Sequence, residues 1–190
     1  RRLMDEKDPL TPGDMGLTEM PKEGDRLPHV FVDGSTKYEE FDRYPGWEEL
    51  QYIAGLTDRE LNDIRKLAVE ASSVITEGMK DAGFSNEDGK FEFVFDPDRK
   101  LMIGDTVGTL DECRFTYKGV DVSKEIPRQW YRYSQPEWVV QIDVAKKHNK
   151  RGWKEHVELR PRPLPTNLKQ ILENLYPAVT NAVIGRRLFS

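Results

Sequence analysis

The chain has 190 residues, one domain's worth and ample for a sizeable core, with 33% charged and 37% hydrophobic residues. A net charge of -5 argues against a general nucleic-acid binder, which is ordinarily basic, and no apolar run approaches a membrane span. No signal-peptide pattern is read at the start, and the single cysteine, Cys113, excludes an internal disulfide and fits a reducing cytosol.

Arg1 to Leu27 carries Pro12, Gly13, Gly16, Pro21 and Gly24 among scattered charges without a sustained period, and reads as an extended connector. His29 to Val32 is read as a short strand. Gly34-Ser35-Thr36-Lys37 then offers hydroxyls and an ammonium to a phosphate or carboxylate, or simply makes a polar turn; both readings stand on the residues alone. Pro45-Gly46 leads into a helix from Trp47 to Ala54, closed by Gly55. Thr57-Asp58-Arg59-Glu60 is a capping box that opens a second helix. Leu61, Ile64, Leu67, Ala71 and Val74 follow at helical spacing, and Gly83 is the expected stop. This long helix is expected to pack against a downstream hairpin, with no chemistry of its own.

The centre of the chain is Asp88 to Arg114. Two apolar runs, FEFVF and LMI, are joined by Asp96-Pro97-Asp98-Arg99, a turn signal with proline where a type I turn accepts it. If Phe95 pairs with Lys100, Glu92 faces Ile103 and Lys90 faces Asp105, which sets these three polar residues on one side of the hairpin. Phe91, Phe93 and Met102 then point into a core. A slip of one residue at the turn would reverse every side chain. A lysine with two carboxylates suits a nucleotide site, where carboxylates hold magnesium and the ammonium meets phosphate. The competing reading is an exposed face whose charges pair with one another.

Cys113 to Tyr117 reads as a third strand with a Lys118-Gly119 turn, and Cys113 as a packed strand residue rather than a nucleophile. A helix is expected from Arg128 to Tyr133 with Pro127 near its start. Ser134 is expected to cap the next, with Pro136 in its first turn and Trp138, Val139 and Ile142 on its buried side. Lys146, Lys147, Lys150, Arg151 and Lys154 form a basic run read as a solvated helix end, and the spacing of His148 and His156 does not suit a zinc pair. After the stiff Arg160 to Pro165 segment, Thr166 is expected to cap a helix ending at Pro177, with a short final helix stopped at Gly185.

Three ordered segments together resemble one family. DGKFEF, a turn, an apolar run ending in Asp105 and the D-x-x-R-F of Asp111 to Phe115 resemble the central motif of SAICAR synthases, the phosphoribosylaminoimidazole-succinocarboxamide synthases of purine biosynthesis. Upstream, EGDRLPHVFVDGSTKYEE is similar to the family's EGD-x-LP segment and its STKAEE. Downstream, Val122 to Arg128 is similar to L-D-K-x-x-[FY]-R. The chain departs at Thr106, where the family has the second acid of a D-E pair, at Leu110, where it has proline, and at Tyr117, two places beyond its tryptophan.

The resemblance implies an α+β fold, an antiparallel sheet covered by helices. It corresponds to the larger lobe of an ATP-grasp-related enzyme, with 1–27 as a connector following an N-terminal lobe and 28–190 as the ATP- and substrate-binding lobe. It implies a cytoplasmic ATP-dependent ligase joining carboxyaminoimidazole ribotide to L-aspartate, with ATP and Mg2+. Lys90 and Asp88 take catalytic roles, Lys90, Glu92 and Asp105 bind nucleotide, and Glu92 and Asp105 hold the metal. Ser35, Lys37, Asp111, Arg114, Lys124 and Arg128 bind substrate. Nothing here resembles the family's glycine-rich phosphate loop, and Arg1-Arg2 corresponds to a point just after the lobe that carries it. That lobe, or a second chain supplying it, is therefore an expected partner. The Lys90 face is then an open groove whose apolar rim favours self-association, so a homo-oligomer is admitted and neither nucleic acid nor membrane is expected. The alternatives are a divergent amide ligase of this fold acting on another carboxylate, and a non-catalytic partner lobe.

Overall fold

The computed structural model describes residues 10–22, 24–37, 39, 43–149 and 152–189. Arg1-Arg2, Tyr38, Glu40, Lys150 and Arg151, which the sequence reading used, lie outside them. The chain divides into two compact units, 1–69 and 70–190.

In the first unit, Gly13–Met15 forms one 3-10 turn that buries Met15, so the expected connector contains a packed element. Thr11 and Asp14 close that turn, the Thr11 amide and hydroxyl donating to Asp14 Oδ2 at 2.7 and 2.6 Å. His29 to Val32 joins no ladder, against the expected strand. Helix α1 (Trp47–Ala54) ends at Gly55 as read. Helix α2 (Asp58–Asp81) opens on the predicted capping box. The Thr57 amide and hydroxyl donate to Glu60 Oε2 at 2.8 and 2.9 Å, and the Glu60 amide returns to Thr57 Oγ1 at 3.3 Å.

The second unit begins within α2, which stops before Gly83, whose φ of 87° suits only the left-handed conformation. A three-stranded antiparallel sheet comes next in the order β1 (Phe84–Gly89), β4 (Cys113–Tyr117), β5 (Val120–Asp121). Its core face carries Phe84, Cys113 and Phe115, packed with Met79 of α2, Leu110 and Val179. Cys113 is wholly buried, and burial pushes its thiol above the usual range, which fits the packed residue expected.

β2 (Phe93–Phe95) and β3 (Leu101–Ile103) form a separate hairpin. Its register differs from expectation by one residue: Phe95 pairs with Leu101, Val94 with Met102 and Phe93 with Ile103. The cause is Asp96, whose Oδ1 accepts from the amides of Asp98 and Lys100 at 3.0 and 2.7 Å. Asp96 and Lys100 thus close a three-residue loop, with Arg99 left-handed at φ 60°. The slip moves Met102 out of the expected core onto an exposed face beside Val94, and sets Ile103 opposite Phe93 instead of Glu92.

Helix α3 (Glu125–Ser134) starts three residues earlier than expected. Helix α4 (Pro136–His148) is preceded by Gln135, and Ser134 does not cap it: its hydroxyl is buried without a partner. Helix α5 (Thr166–Ile184) is one helix, not two. It runs through Pro177 to Gly185, and Thr166 is its first residue rather than its cap. Leu175 and Val179, on either side of Pro177, both pack against the core, which holds the helix together across the lost amide.

Candidate active site

The site is built around a β-bulge. Along β1, Asn86 pairs with Phe115, yet Asp88 pairs with Arg114, so Glu87 is the extra residue. Without it, Asp88 would lie opposite Cys113, on the core face. With it, Asp88 stands beside Arg114 on the opposite face, its carboxylate 3.1 Å from the guanidinium. The next pair brings Gly89 against Cys113 so closely that an added Cβ would lie 2.9 Å from Sγ. Glycine is needed there for the close approach.

Arg114 also reaches α3. Glu125, at its first position, is 7% exposed, and three guanidiniums converge on its carboxylate. Arg128 Nη1 lies 2.8 Å from Oε1, Arg132 Nη1 lies 3.0 Å from Oε2, and Arg114 Nε is 3.6 Å from Oε1. Positions 125, 128 and 132 follow the i, i+3, i+7 spacing of one helix face. Burial alone would raise the Glu125 carboxyl. The hydrogen bonds from Arg128 and Arg132 and the charge of Arg114 outweigh it and hold the group below the usual range. The sequence reading assigned substrate roles to Arg114 and Arg128, with Glu125 only as a surface partner in a competing reading, and did not single out Arg132; the Arg128–Glu125 pair is present, but Glu125 is buried. The helical spacing of Glu125, Arg128 and Arg132 was the available signal.

Beside this cluster, the Lys124 ammonium donates to the backbone carbonyl of Asp111. The Tyr176 hydroxyl, from α5, donates to Asp111 Oδ1 at 2.6 Å. Burial, then the bond to Asp111 and its negative charge, push the Tyr176 phenol up to about 12. Asp88, Arg114, Lys124, Arg128 and Asp111 are therefore gathered on adjoining parts of β1, β4, α3 and the loop before β4.

Lys90 and Glu92 occupy the segment joining β1 to β2. The Lys90 amide donates to the Glu112 carbonyl at 3.1 Å, and the Gly104 amide to the Glu92 carbonyl at 2.8 Å. Their side chains form an ion pair at 2.8 Å, with Glu92 largely covered. Asp105 lies beyond the end of β3, exposed, accepting from the Thr106 amide at 2.7 Å. Among the described residues, no three His, Cys, Asp or Glu side chains gather as a metal-binding group. The observed register does not set Lys90 opposite Asp105, so the expected grouping of Lys90, Glu92 and Asp105 on one side of the hairpin is not borne out, and Glu92 is engaged by Lys90. Ser35 and Lys37 belong to the first unit, both exposed. Thr36 between them is buried, its hydroxyl accepting from the Arg43 amide at 3.1 Å and its own amide donating to the Arg43 carbonyl at 2.9 Å.

Residues 12–144 match the family model described as SAICAR synthetase. A protein of Archaeoglobus fulgidus, provisionally named phosphoribosylaminoimidazole-succinocarboxamide synthase, is 42% identical over 184 residues, covering 97% of this chain and 54% of that protein. The chain belongs to the SAICAR synthetase family. The phosphoribosylaminoimidazole-succinocarboxamide synthase of Thermoplasma acidophilum is 30% identical over 93% of this chain and 60% of its own length. The chain thus spans somewhat more than half the length of these curated relatives.

Two solved structures share the fold. A SAICAR-synthase from Saccharomyces cerevisiae complexed with SAICAR superposes with a TM-score of 0.66 at 19% identity, over 93% of this chain and 54% of that one. A SAICAR synthetase in complex with ADP gives 0.61 at 17% identity, over 95% and 61%. They bear out the α+β reading with antiparallel sheets and helices, and the SAICAR synthase resemblance is borne out by the family match. No helix among the described residues is long and apolar enough to cross a membrane.

Proposed function

We propose that this chain carries the substrate-binding part of a cytoplasmic ATP-dependent ligase that joins carboxyaminoimidazole ribotide to L-aspartate. The observation that carries the reading is the joint placement of Asp88, Arg114, Lys124 and Arg128, residues from two separate family motifs, on one polar face. In this reading the ribotide phosphate meets the guanidiniums of Arg114 and Arg128 with Lys124 nearby, since paired N–H donors match phosphate oxygens. Asp111 completes the ribotide site, and Ser35 and Lys37 are assigned to an anionic substrate group.

Lys90 approaches the ATP phosphates, and Asp88 orients the reacting end of the site through Arg114. Glu92 and Asp105 would hold Mg2+, which when bound neutralises charge on the transferring phosphoryl group. The ribotide carboxylate attacks the γ-phosphorus and ADP leaves. The amine of aspartate then attacks the acyl carbon, phosphate departs, and the amine gives up its proton as the amide forms. The chain's task is positioning: two anionic substrates must be held in line with their charges compensated. We further propose that residues 28–190 act as one substrate lobe, preceded by the 1–27 connector. Cover over the ATP phosphates comes from a further lobe or a second chain, in keeping with the partial span of the relatives matched.

Incubation with ATP, Mg2+, L-aspartate and the ribotide, followed by mass spectrometry, tests the reading. The succinocarboxamide with one equivalent of ADP is expected from the protein that includes this chain and its phosphate-covering lobe. ADP and phosphate without that product would indicate another carboxylate or amine substrate. Neither would indicate a non-catalytic lobe.

A further inference from the structure

We infer that Arg132 is a third phosphate-binding guanidinium and that Glu125 is the positioning residue which aims it, together with Arg114 and Arg128, at one dianion. The inference rests on the proposed ribotide reading and extends it to Arg132, beyond the matched motif, and to Glu125, at one of that motif's unspecified positions. A single buried carboxylate has two oxygens, and here three cations share them. Each guanidinium has five N–H donors, so one or two bonds to Glu125 leave donors on every fork for a ligand.

The three arginine side chains are each about half exposed, at 49%, 50% and 56%, while the Glu125 side chain beneath them is 9% exposed. The carboxylate is the floor and the guanidiniums are the rim. The neighbouring carboxylates are already engaged, Asp88 by Arg114 and Asp111 by Tyr176. Counting Arg114, Lys124, Arg128 and Arg132 against Asp88, Asp111 and Glu125 leaves the cluster one positive charge in excess. A phosphate monoester, carrying between one and two negative charges near neutrality, is the ligand class such a planar, forked donor set takes best.

Two accounts of Glu125 predict opposite signs. If the cluster acted only through its field, removing the negative charge of Glu125 would tighten anion binding. If Glu125 aims the arginines, Glu125→Gln loosens it, because an amide can accept on one side only and cannot hold the second fork. Titration of the chain with ribose 5-phosphate, followed by the arginine Nε–Hε resonances and with ribose as control, separates them. Saturable binding of the phosphate ester, but not of ribose, is expected. Arg132→Gln and Glu125→Gln are each expected to weaken it roughly tenfold, the loss of one charge-assisted hydrogen bond.

Unchanged binding in Arg132→Gln, tighter binding in Glu125→Gln, or no saturable binding by the parent chain overturns the inference. Should Glu125→Gln fail to fold, Arg132→Lys decides: it keeps the charge and loses the fork, so aimed donors predict weakening and a bare field predicts none. The titration uses neither ATP nor aspartate. Failure here with amide synthesis intact refutes only the role of Arg132 and Glu125, and success here without synthesis refutes only the ligase reading.

Discussion

The arginine face and the hairpin edge hold their charged groups in different ways. On the arginine face, ion pairs run from Asp88 of β1 through Arg114 of β4 to the buried Glu125 of α3, which also holds Arg128 and Arg132. At the hairpin edge, Lys90 pairs with Glu92 two residues away, and Asp105 stands exposed beyond the end of a three-residue strand. One region is organised by the protein's own tertiary contacts. The other holds its groups along short local segments, with no shared tertiary partner to bring Asp105 to Lys90 and Glu92 among the contacts found. The proposed ribotide contacts therefore lie on a surface braced by the protein's own ion pairs, while the proposed metal ligands are not gathered by the described residues themselves.

The largest expected effect is at the edge. Asp105→Asn preserves shape but removes charge that a hard cation prefers, so magnesium-dependent turnover of the active enzyme should fall roughly a hundredfold. Melting temperature should stay unchanged, since Asp105 is exposed and supports no core contact. Turnover retained across a magnesium titration would remove Asp105 from the metal site.

On the arginine face the effect should be smaller and selective. Arg128→Lys should raise the Michaelis constant for the ribotide roughly tenfold and leave that for ATP nearly constant. Equal rises in both would show general damage instead of a lost phosphate contact.

The same face should leave a signature in acid. Glu125 titrates below the ordinary carboxylate value near 4.5, so the unfolded chain takes up its proton first. The stabilisation is present above that value and is lost as pH falls through the lower folded one. Thermal melts of the parent and Glu125→Gln should therefore converge as pH drops below about 4.5. A constant gap between them would show that Glu125 is not held ionised by its arginines.

The smallest effect is expected at the margin, where Tyr176→Phe removes one half-exposed hydrogen bond to Asp111 and should cost about 1 kcal/mol or less. With the phenol raised to about 12, the unfolded chain loses its proton first. This contribution is full below about pH 10 and fades as pH rises to about 12, where melts of the two proteins should meet.

Several elements were legible because their signals are local. The Thr57–Glu60 capping box, the α1 limits and the Cys113–Tyr117 strand each follow from a few adjacent residues, and each stands where expected. The β1 strand was not legible: Ser85-Asn86-Glu87-Asp88 carries no strand pattern, and its pairing depends on β4, distant along the chain. The bulge at Glu87 that turns Asp88 toward Arg114 was hidden for the same reason. The hairpin register turned on Asp96, whose side chain shortened the loop by one residue. For the candidate site, the family motifs supplied Asp88, Arg114 and Arg128. The burial of Glu125 escaped because a charged residue reads as exposed until the groups that cover and neutralise it are known.

The central claim, that this family fold activates a carboxylate with ATP for attack by an amine, leaves a mark on one atom. With ribotide whose carboxylate oxygens are labelled with oxygen-18, attack on the γ-phosphorus places a labelled oxygen between carbon and phosphorus. Departure of phosphate then carries that oxygen away, and the amide keeps the other. Mass spectrometry of the released phosphate should find one labelled oxygen per product formed by the active enzyme. Unlabelled phosphate alongside product would contradict the account, because the carboxylate would never have been phosphorylated.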